Sequence, residues 1–202
     1  MKILLTGGSG LLGQYLKMEA WRPTHQELDI TKELPFVDLD LIVHCAAYTD
    51  VQGAETKKDE CFDVNVQGVL NLIKAYPGTP LVYISTEYAK CPVNFYSMTK
   101  RLAEDVIRAK CESYLIIRTL FKPKPWAYPK AFEDQFTLGG YIDEVAPRIE
   151  QAINEWDRKP SLIYVGDGRG RKTMFELAQR TKPNVIPNSI KEMKVPIPND
   201  YT

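Results

Sequence analysis

Tyr96 and Lys100 stand four apart in Tyr96-Ser97-Met98-Thr99-Lys100, a stretch that reads as the start of a helix, so both side chains leave one helix face. A lysine ammonium beside a phenol favours the phenolate and lowers the phenol's pKa, which makes it a proton donor or acceptor near neutral pH. The same ammonium can hold ribose hydroxyls. Spacing alone is a weak signal, because 11 tyrosines and 17 lysines among 202 residues give about one such pair by chance. Position gives it weight. Thr86 directly follows the apolar run Leu81, Val82, Tyr83 and Ile84, so its hydroxyl belongs at the C-terminal edge of a sheet, where the next element also delivers Tyr96. A hydroxyl and an acidic phenol converging there would polarise a substrate carbonyl. The alternative for Thr86 is a loop or cap residue.

A second cluster, Thr6-Gly7-Gly8-Ser9-Gly10-Leu11-Leu12-Gly13, lies behind Ile3, Leu4 and Leu5. A buried strand ending in a glycine loop that opens a helix presents backbone N–H groups to a pyrophosphate. Gly7 and Gly10 allow the tight turn and close approach, and Gly13 lets helix and strand pack together. Leu11, Leu12, Tyr15 and Leu16 continue in a helical pattern, predicting a helix from about Gly10 to Ala20 that ends before Pro23. A dinucleotide site is the reading these elements favour, and a plain turn is the alternative.

The remaining elements must bring these clusters together. Trp21 to His25 is short and polar and predicts a degraded second strand. Asp29, 16 residues beyond Gly13 and followed by Ile30, lies near the offset at which an acidic residue meets the adenosine end of a dinucleotide; equally, Asp29 with Thr31 caps a turn. Leu39 to Cys45 predicts a buried strand ending in the small residues Ala46 and Ala47, with His44 as a packing histidine. A helix from about Glu60 to Ala75, a strand from Pro80 to Ser85, a helix from Tyr96 to Lys110 and a strand from Tyr114 to Arg118 follow. This alternation specifies an α/β fold, a Rossmann-like, right-handed, doubly wound parallel sheet. Beyond Thr119 an aromatic, proline-rich segment precedes a helix from Asp143 to Asp157, a strand from Leu162 to Val165, a helix from Thr173 to Arg180 and an extended tail. The expected organisation is a dinucleotide-binding core over 1–120 with a reduced substrate-side region over 121–202, packed as one unit.

Composition narrows the function classes. With 26 basic and 26 acidic residues the net charge is zero, so no global field draws in nucleic acid or an anionic membrane. The N-terminal apolar stretch is broken by Gly7, Gly8 and Gly10, which suits a strand and not a signal peptide, and no apolar run is long enough to span a bilayer. Cys45, Cys61, Cys91 and Cys111 show no metal-ligand spacing, so no metal site is expected, and buried reduced thiols in a cytoplasmic protein are the simplest reading.

The glycine loop, Ala46-Ala47-Tyr48-Thr49, Asp63-Val64-Asn65-Val66-Gln67-Gly68, Ser85-Thr86-Glu87-Tyr88 and Tyr96 to Lys100 occur in the order found in extended short-chain dehydrogenases/reductases. Within that superfamily the chain most resembles the dTDP-4-dehydrorhamnose reductase branch, through Glu27 to Thr31, Arg118-Thr119, Asp134-Gln135 and Tyr141 to Ala146. The resemblance implies a catalytic triad of Thr86, Tyr96 and Lys100. It implies that Gly7, Gly10, Leu11, Leu12 and Gly13 hold the pyrophosphate of NADP(H) or NAD(H), with Asp29 and Ile30 beside adenine. Ala46, Ala47 and Tyr48 would line the nicotinamide side, Asn65 would brace the site through backbone contacts, and Arg22 would reach a 2′-phosphate unless it is a free surface arginine. The substrate implied is a 4-keto sugar nucleotide and the assembly a homodimer through the helices at Glu60 to Ala75 and Tyr96 to Lys110.

The chain departs from the family in a shorter Thr86 to Tyr96 loop, in Ala89-Lys90-Cys91 after Tyr88, and in a trimmed region after Arg118. The competing readings are therefore a reductase, an epimerase or dehydratase of the same class, and a non-catalytic cofactor-binding subunit.

Overall fold

Ile3–Thr6 (β1), Leu41–His44 (β2) and Leu81–Thr86 (β3) are buried at every position, the pattern of strands covered on both faces. With Tyr114–Thr119 (β4) and Ser161–Tyr164 (β5) they form one parallel sheet in the order β1-β2-β3-β4-β5. The structure is a computed structural model and describes residues 1–200.

Successive residues of each strand serve opposite layers. Leu4, Ile42, Tyr83 and Ile116 pack under Val69 and Leu72 of Gly68–Ala75 and under Ala103 and Ile107 of Phe95–Lys110. Leu5, Val43, Val82 and Ile117 pack under Val145, Ile149 and Ile153 of Ile142–Glu155, joined by Leu12 and Leu16. Each fully buried side chain of this kind contributes about 1.5–3 kcal/mol, so the two layers fix the sheet. The sheet takes its fifth strand and one covering helix from beyond residue 120.

In chain order the helices are α1 (Lys58–Phe62), α2 (Gly68–Ala75), α3 (Phe95–Lys110), α4 (Ile142–Glu155) and α5 (Met174–Gln179). The helix expected over Glu60 to Ala75 begins earlier and carries a π-helical segment, Asp63–Gln67, between α1 and α2. Such a segment widens the turn and commonly marks a functional position. Asn65 lies within it.

One expected helix is absent. From Gly10 to Ala20 the chain makes only turns, with Gly10 N donating to Gly7 O at 2.9 Å, Gln14 N to Gly10 O at 3.1 Å and Leu16 N to Leu12 O at 3.2 Å. Glycines at 10 and 13 each disfavour a helix by about 1 kcal/mol, and the segment before Pro23 is too short to recover a nucleation cost. The expected second strand shrinks to a single parallel bridge, Leu4 with Trp21.

Past β4 the aromatic segment is held by three short pairings: Phe121–Lys122 with Gly140–Tyr141, Phe136–Thr137 with Lys172–Thr173, and Lys130–Phe132 with Ile186–Asn188. Tyr88, Tyr96, Leu120, Trp126, Tyr141 and Leu177 form a second apolar cluster there. The four cysteines are free, but only Cys61 is buried and Cys91 is exposed, correcting the expectation of four buried thiols: Cys91 lies in the short loop ahead of α3. Among the described residues no helix is long and apolar enough to cross a membrane, and no group of His, Cys, Asp or Glu side chains is arranged to hold a metal ion.

Candidate active site

β1 meets Trp21 on one side and β2 on the other, so the chain leaves β1 in both directions and opens a crevice at its C-terminal end. A cleft of about 560 Å³ lies there, reaching from the glycine loop past Ala46 and Ala47 to the ends of β3 and β4. Gly7 has φ +69°, and a Cβ on it would sit 2.6 Å from the Ala46 backbone nitrogen, so the two loops touch where no side chain fits. A Cβ on Gly13 would meet the Gly7 carbonyl oxygen and lie 2.7 Å from the Gly8 Cα, whereas one on Gly10 would meet only the Gly7 carbonyl, at 3.2 Å. Gly10 and Leu11 line the cleft; Leu12 lines it from the buried layer beneath.

Asn94 starts α3. Its side chain accepts from Ser97 N at 2.8 Å, and Ser97 Oγ accepts from Asn94 N at 3.2 Å, a reciprocal cap that fixes the first turn. Tyr96 and Lys100 thereby enter the cleft from one helix face, and Thr86, the last residue of β3, meets them there. Thr86 also accepts from Tyr88 N at 3.3 Å, so it caps a turn and lines the cleft at once.

The electrostatics differ from the expected pairing. Lys100 is buried; its Nζ donates to the Ile84 carbonyl at 2.8 Å and stands 4.2 Å from the centre of the Tyr83 ring. Burial pushes its pKa down to about 7, with the Glu104 carboxylate acting in the other direction. Burial also pushes the Tyr96 phenol above the ordinary tyrosine value, and the Thr86 side chain bonded to it acts downward. The phenol is thus held as a proton donor, not lowered toward phenolate: desolvation outweighs the Thr86 hydrogen bond.

Other expected site residues are placed less directly. Ile30 lines the far end of the cleft with Thr31 and His25. Asp29 does not line it; its Oδ1 accepts from Thr31 N at 3.0 Å and Thr31 Oγ1 at 2.7 Å, the turn-capping alternative. Arg22 also stays out of the cleft. Its guanidinium donates to the carbonyls of Gly13 at 2.6 Å, Leu16 at 2.6 Å and Met18 at 2.9 Å, which corrects the alternative of a free surface arginine: those carbonyls lack the helical partners a formed helix would supply. Asn65 and Tyr48 lie behind the cleft wall. Asn65 Oδ1 accepts from Tyr48 N at 2.9 Å, and its Nδ2 donates to Thr99 Oγ1 at 3.0 Å, tying the strand-end loop to α3. His44 packs in the sheet, bonded to Thr6 Oγ1 at 2.6 Å, and burial pushes it down to about 3, so it is neutral.

Three further groups matter. Thr119, paired in register with Thr86, lines the cleft with a buried Oγ1 that has no partner among the described residues. Glu104 is buried on α3, accepts from Ser85 Oγ at 2.6 Å, and holds Arg118 through both oxygens, at 2.8 and 2.6 Å. Glu87 turns away from the cleft to accept from Thr137 Oγ1 at 2.6 Å and Leu138 N at 3.2 Å, and burial pushes it up to about 7. A charged residue at the end of an apolar strand was the visible signal for Glu87; its partners lie some fifty residues away.

A parallel sheet with a glycine-loop crevice, joined to a threonine, a tyrosine and a lysine at one strand edge, defines a dinucleotide-fold protein of the short-chain dehydrogenase/reductase type. The chain belongs to the RmlD substrate-binding domain family, whose model matches residues 1–129. The dTDP-4-dehydrorhamnose reductase of Mycolicibacterium smegmatis is 30% identical over a region covering 83% of this chain and 61% of that protein. This chain therefore spans less than two thirds of that relative's length. Among solved structures, the dTDP-4-dehydrorhamnose reductase of Bacillus anthracis in complex with NADP shares 23% identity at a TM-score of 0.81, covering 98% of this chain and 88% of that one. The Clostridium acetobutylicum dTDP-4-dehydrorhamnose reductase shares 22% at 0.83, covering 100% and 88%. At these identities the structures support the fold.

Proposed function

We propose that this chain is an NAD(P)H-dependent reductase of a 4-keto sugar nucleotide, with Thr86, Tyr96 and Lys100 as its catalytic residues. The observation that carries the reading is that these three side chains and the glycine loop line one cleft. The names of the M. smegmatis and B. anthracis proteins support it.

The cleft fits a nicotinamide dinucleotide. Gly10 leaves its wall open where a side chain would intrude, and the partnerless Thr119 Oγ1 offers a hydrogen bond at the reacting end. Gly7, Gly10 and Gly13 would hold the pyrophosphate with Leu11 and Leu12 beside them, Ile30 would border adenine, and Ala46 and Ala47 would flank nicotinamide. When bound, the reduced cofactor supplies the hydride. Thr86 orients the substrate carbonyl, and Tyr96, kept protonated by burial, delivers the proton as the carbonyl oxygen becomes a hydroxyl. Charged Lys100 holds ribose hydroxyls and stabilises the phenolate left on Tyr96. Asn65 and Tyr48 serve by bracing. Return of a hydride to the sugar would make the reaction an epimerisation or dehydration.

Phe62 on α1 and Met98 and Leu102 on α3 are exposed, which supports a homodimer through these helices; the free cysteines support a cytoplasmic enzyme and the balanced charge one without a nucleic-acid partner. The test is titration with NADPH and NADH, followed by reduced-cofactor absorbance against a panel of 4-keto sugar nucleotides, with Tyr96→Phe as control. Turnover lost in Tyr96→Phe supports the reductase. Tight cofactor binding without oxidation across the panel would replace it with a non-catalytic cofactor-binding subunit.

A further inference from the structure

Lys122 lies three residues beyond Thr119, the β4 residue paired with Thr86, and lines the substrate end of the cleft. Nearby cations are taken: Lys124 by Asp143 at 2.8 Å, and Lys172 by Asp167 at 3.0 Å. Lys122 is partly buried, stands 5.3 Å from the centre of the Tyr128 ring, and has neither a carboxylate nor a hydrogen-bond partner among the described residues. Its backbone is fixed by pairing with Tyr141, so the ammonium is held at the cleft. Desolvation with no compensating acid among the described residues lowers its pKa, the mark of a partly desolvated cation open to an anion.

We propose that Lys122 is an anion subsite of this cleft that binds the diphosphate of the nucleoside-diphosphate sugar. It rests on the sugar-nucleotide reading above. A hexose that presents its C4 carbonyl to Thr86 and Tyr96 carries its C1 diphosphate on the opposite side of the ring, and Lys122 follows the strand beyond that carbonyl position. The cofactor's own diphosphate is excluded by distance. The glycine loop follows β1, and β4 is three strand spacings away, about 14 Å across the sheet, beyond the reach of a lysine side chain. Tyr128, with its ring against the ammonium and its own place in the cleft lining, keeps the cation from turning to solvent.

The experiment titrates thymidine diphosphate and, separately, NADPH into the intact protein, comparing wild type with Lys122→Gln and Lys122→Arg. Thymidine diphosphate is expected to bind Lys122→Gln roughly 10- to 100-fold more weakly, with most of the loss recovered in Lys122→Arg and with NADPH affinity and Tm unchanged. Equal diphosphate affinity in wild type and Lys122→Gln, or no binding to wild type, overturns the proposal. So does a parallel loss of NADPH affinity, which would assign the ammonium to the cofactor. Lys122-dependent diphosphate binding without reduction of any 4-keto sugar would keep the subsite and remove the reductase reading, so the two fail separately.

Discussion

The Lys100 ammonium donates to the Ile84 carbonyl at 2.8 Å, two residues before Thr86 on the same strand. One bond therefore ties the helix that carries Tyr96 to the strand that carries Thr86, and it leaves Lys100 further donors for a ligand.

Activity should follow the charge on Lys100. Burial places it at about 7 and holds Tyr96 protonated above the ordinary tyrosine range, so the acid persists while the cation is lost. kcat/KM for reduction is expected to fall as pH rises through about 7. Lys100→Met should abolish that limb and lower the rate by about 10²-fold or more. A rise in kcat/KM through pH 7 would assign the reaction to an uncharged Lys100, and a profile flat to pH 9 would show that its charge does not limit the rate.

Gly10→Ala and Gly13→Ala should separate binding from folding. At Gly10 the added methyl meets one carbonyl oxygen at 3.2 Å and projects toward the cleft, so Tm should hold while NADPH affinity falls. At Gly13 it runs into the Gly7 carbonyl and the Gly8 backbone, 2.7 Å from the Gly8 Cα, so the loop must shift and both stability and affinity should drop. Thermal melts beside fluorescence titrations read the two effects.

Stability should carry the signature of Glu87. Its folded pKa, about 7, lies above its ordinary value of 4.5, so the native state binds more protons between those values, and this contribution is full below about 4.5 and lost as pH rises through about 7. Its size is on the order of 3 kcal/mol. Glu87→Gln keeps the acceptor for Thr137 without the charge and should remove that decline in urea melts between pH 4.5 and 7.

Arg22→Met should test the arginine's structural placement. Losing three bonds from a cation to the carbonyls of Gly13, Leu16 and Met18 should destabilise the protein by about 2–4 kcal/mol and weaken NADPH and NADH by the same factor. A loss confined to NADPH would return Arg22 to the 2′-phosphate.

Local pattern carried the sheet, because buried strands such as Leu81–Thr86 read as continuous apolar runs and helices such as Phe95–Lys110 repeat their apolar residues at a period of 3.6, signals that neighbours in sequence alone can supply. The same order of elements brought Thr86, Tyr96, Lys100 and the glycine loop to one edge. Only the tertiary structure decided what surrounds them. Burial, set by residues far apart in sequence, turned Tyr96 toward the protonated form and Lys100 toward neutrality; three carbonyls left open by an unformed helix claimed Arg22; and the lack of an acid paired with Lys122 among the described residues left it open to an anion. Desolvation and long-range pairing have no period along the chain, so motif and spacing could name these residues without fixing their charge or their partners.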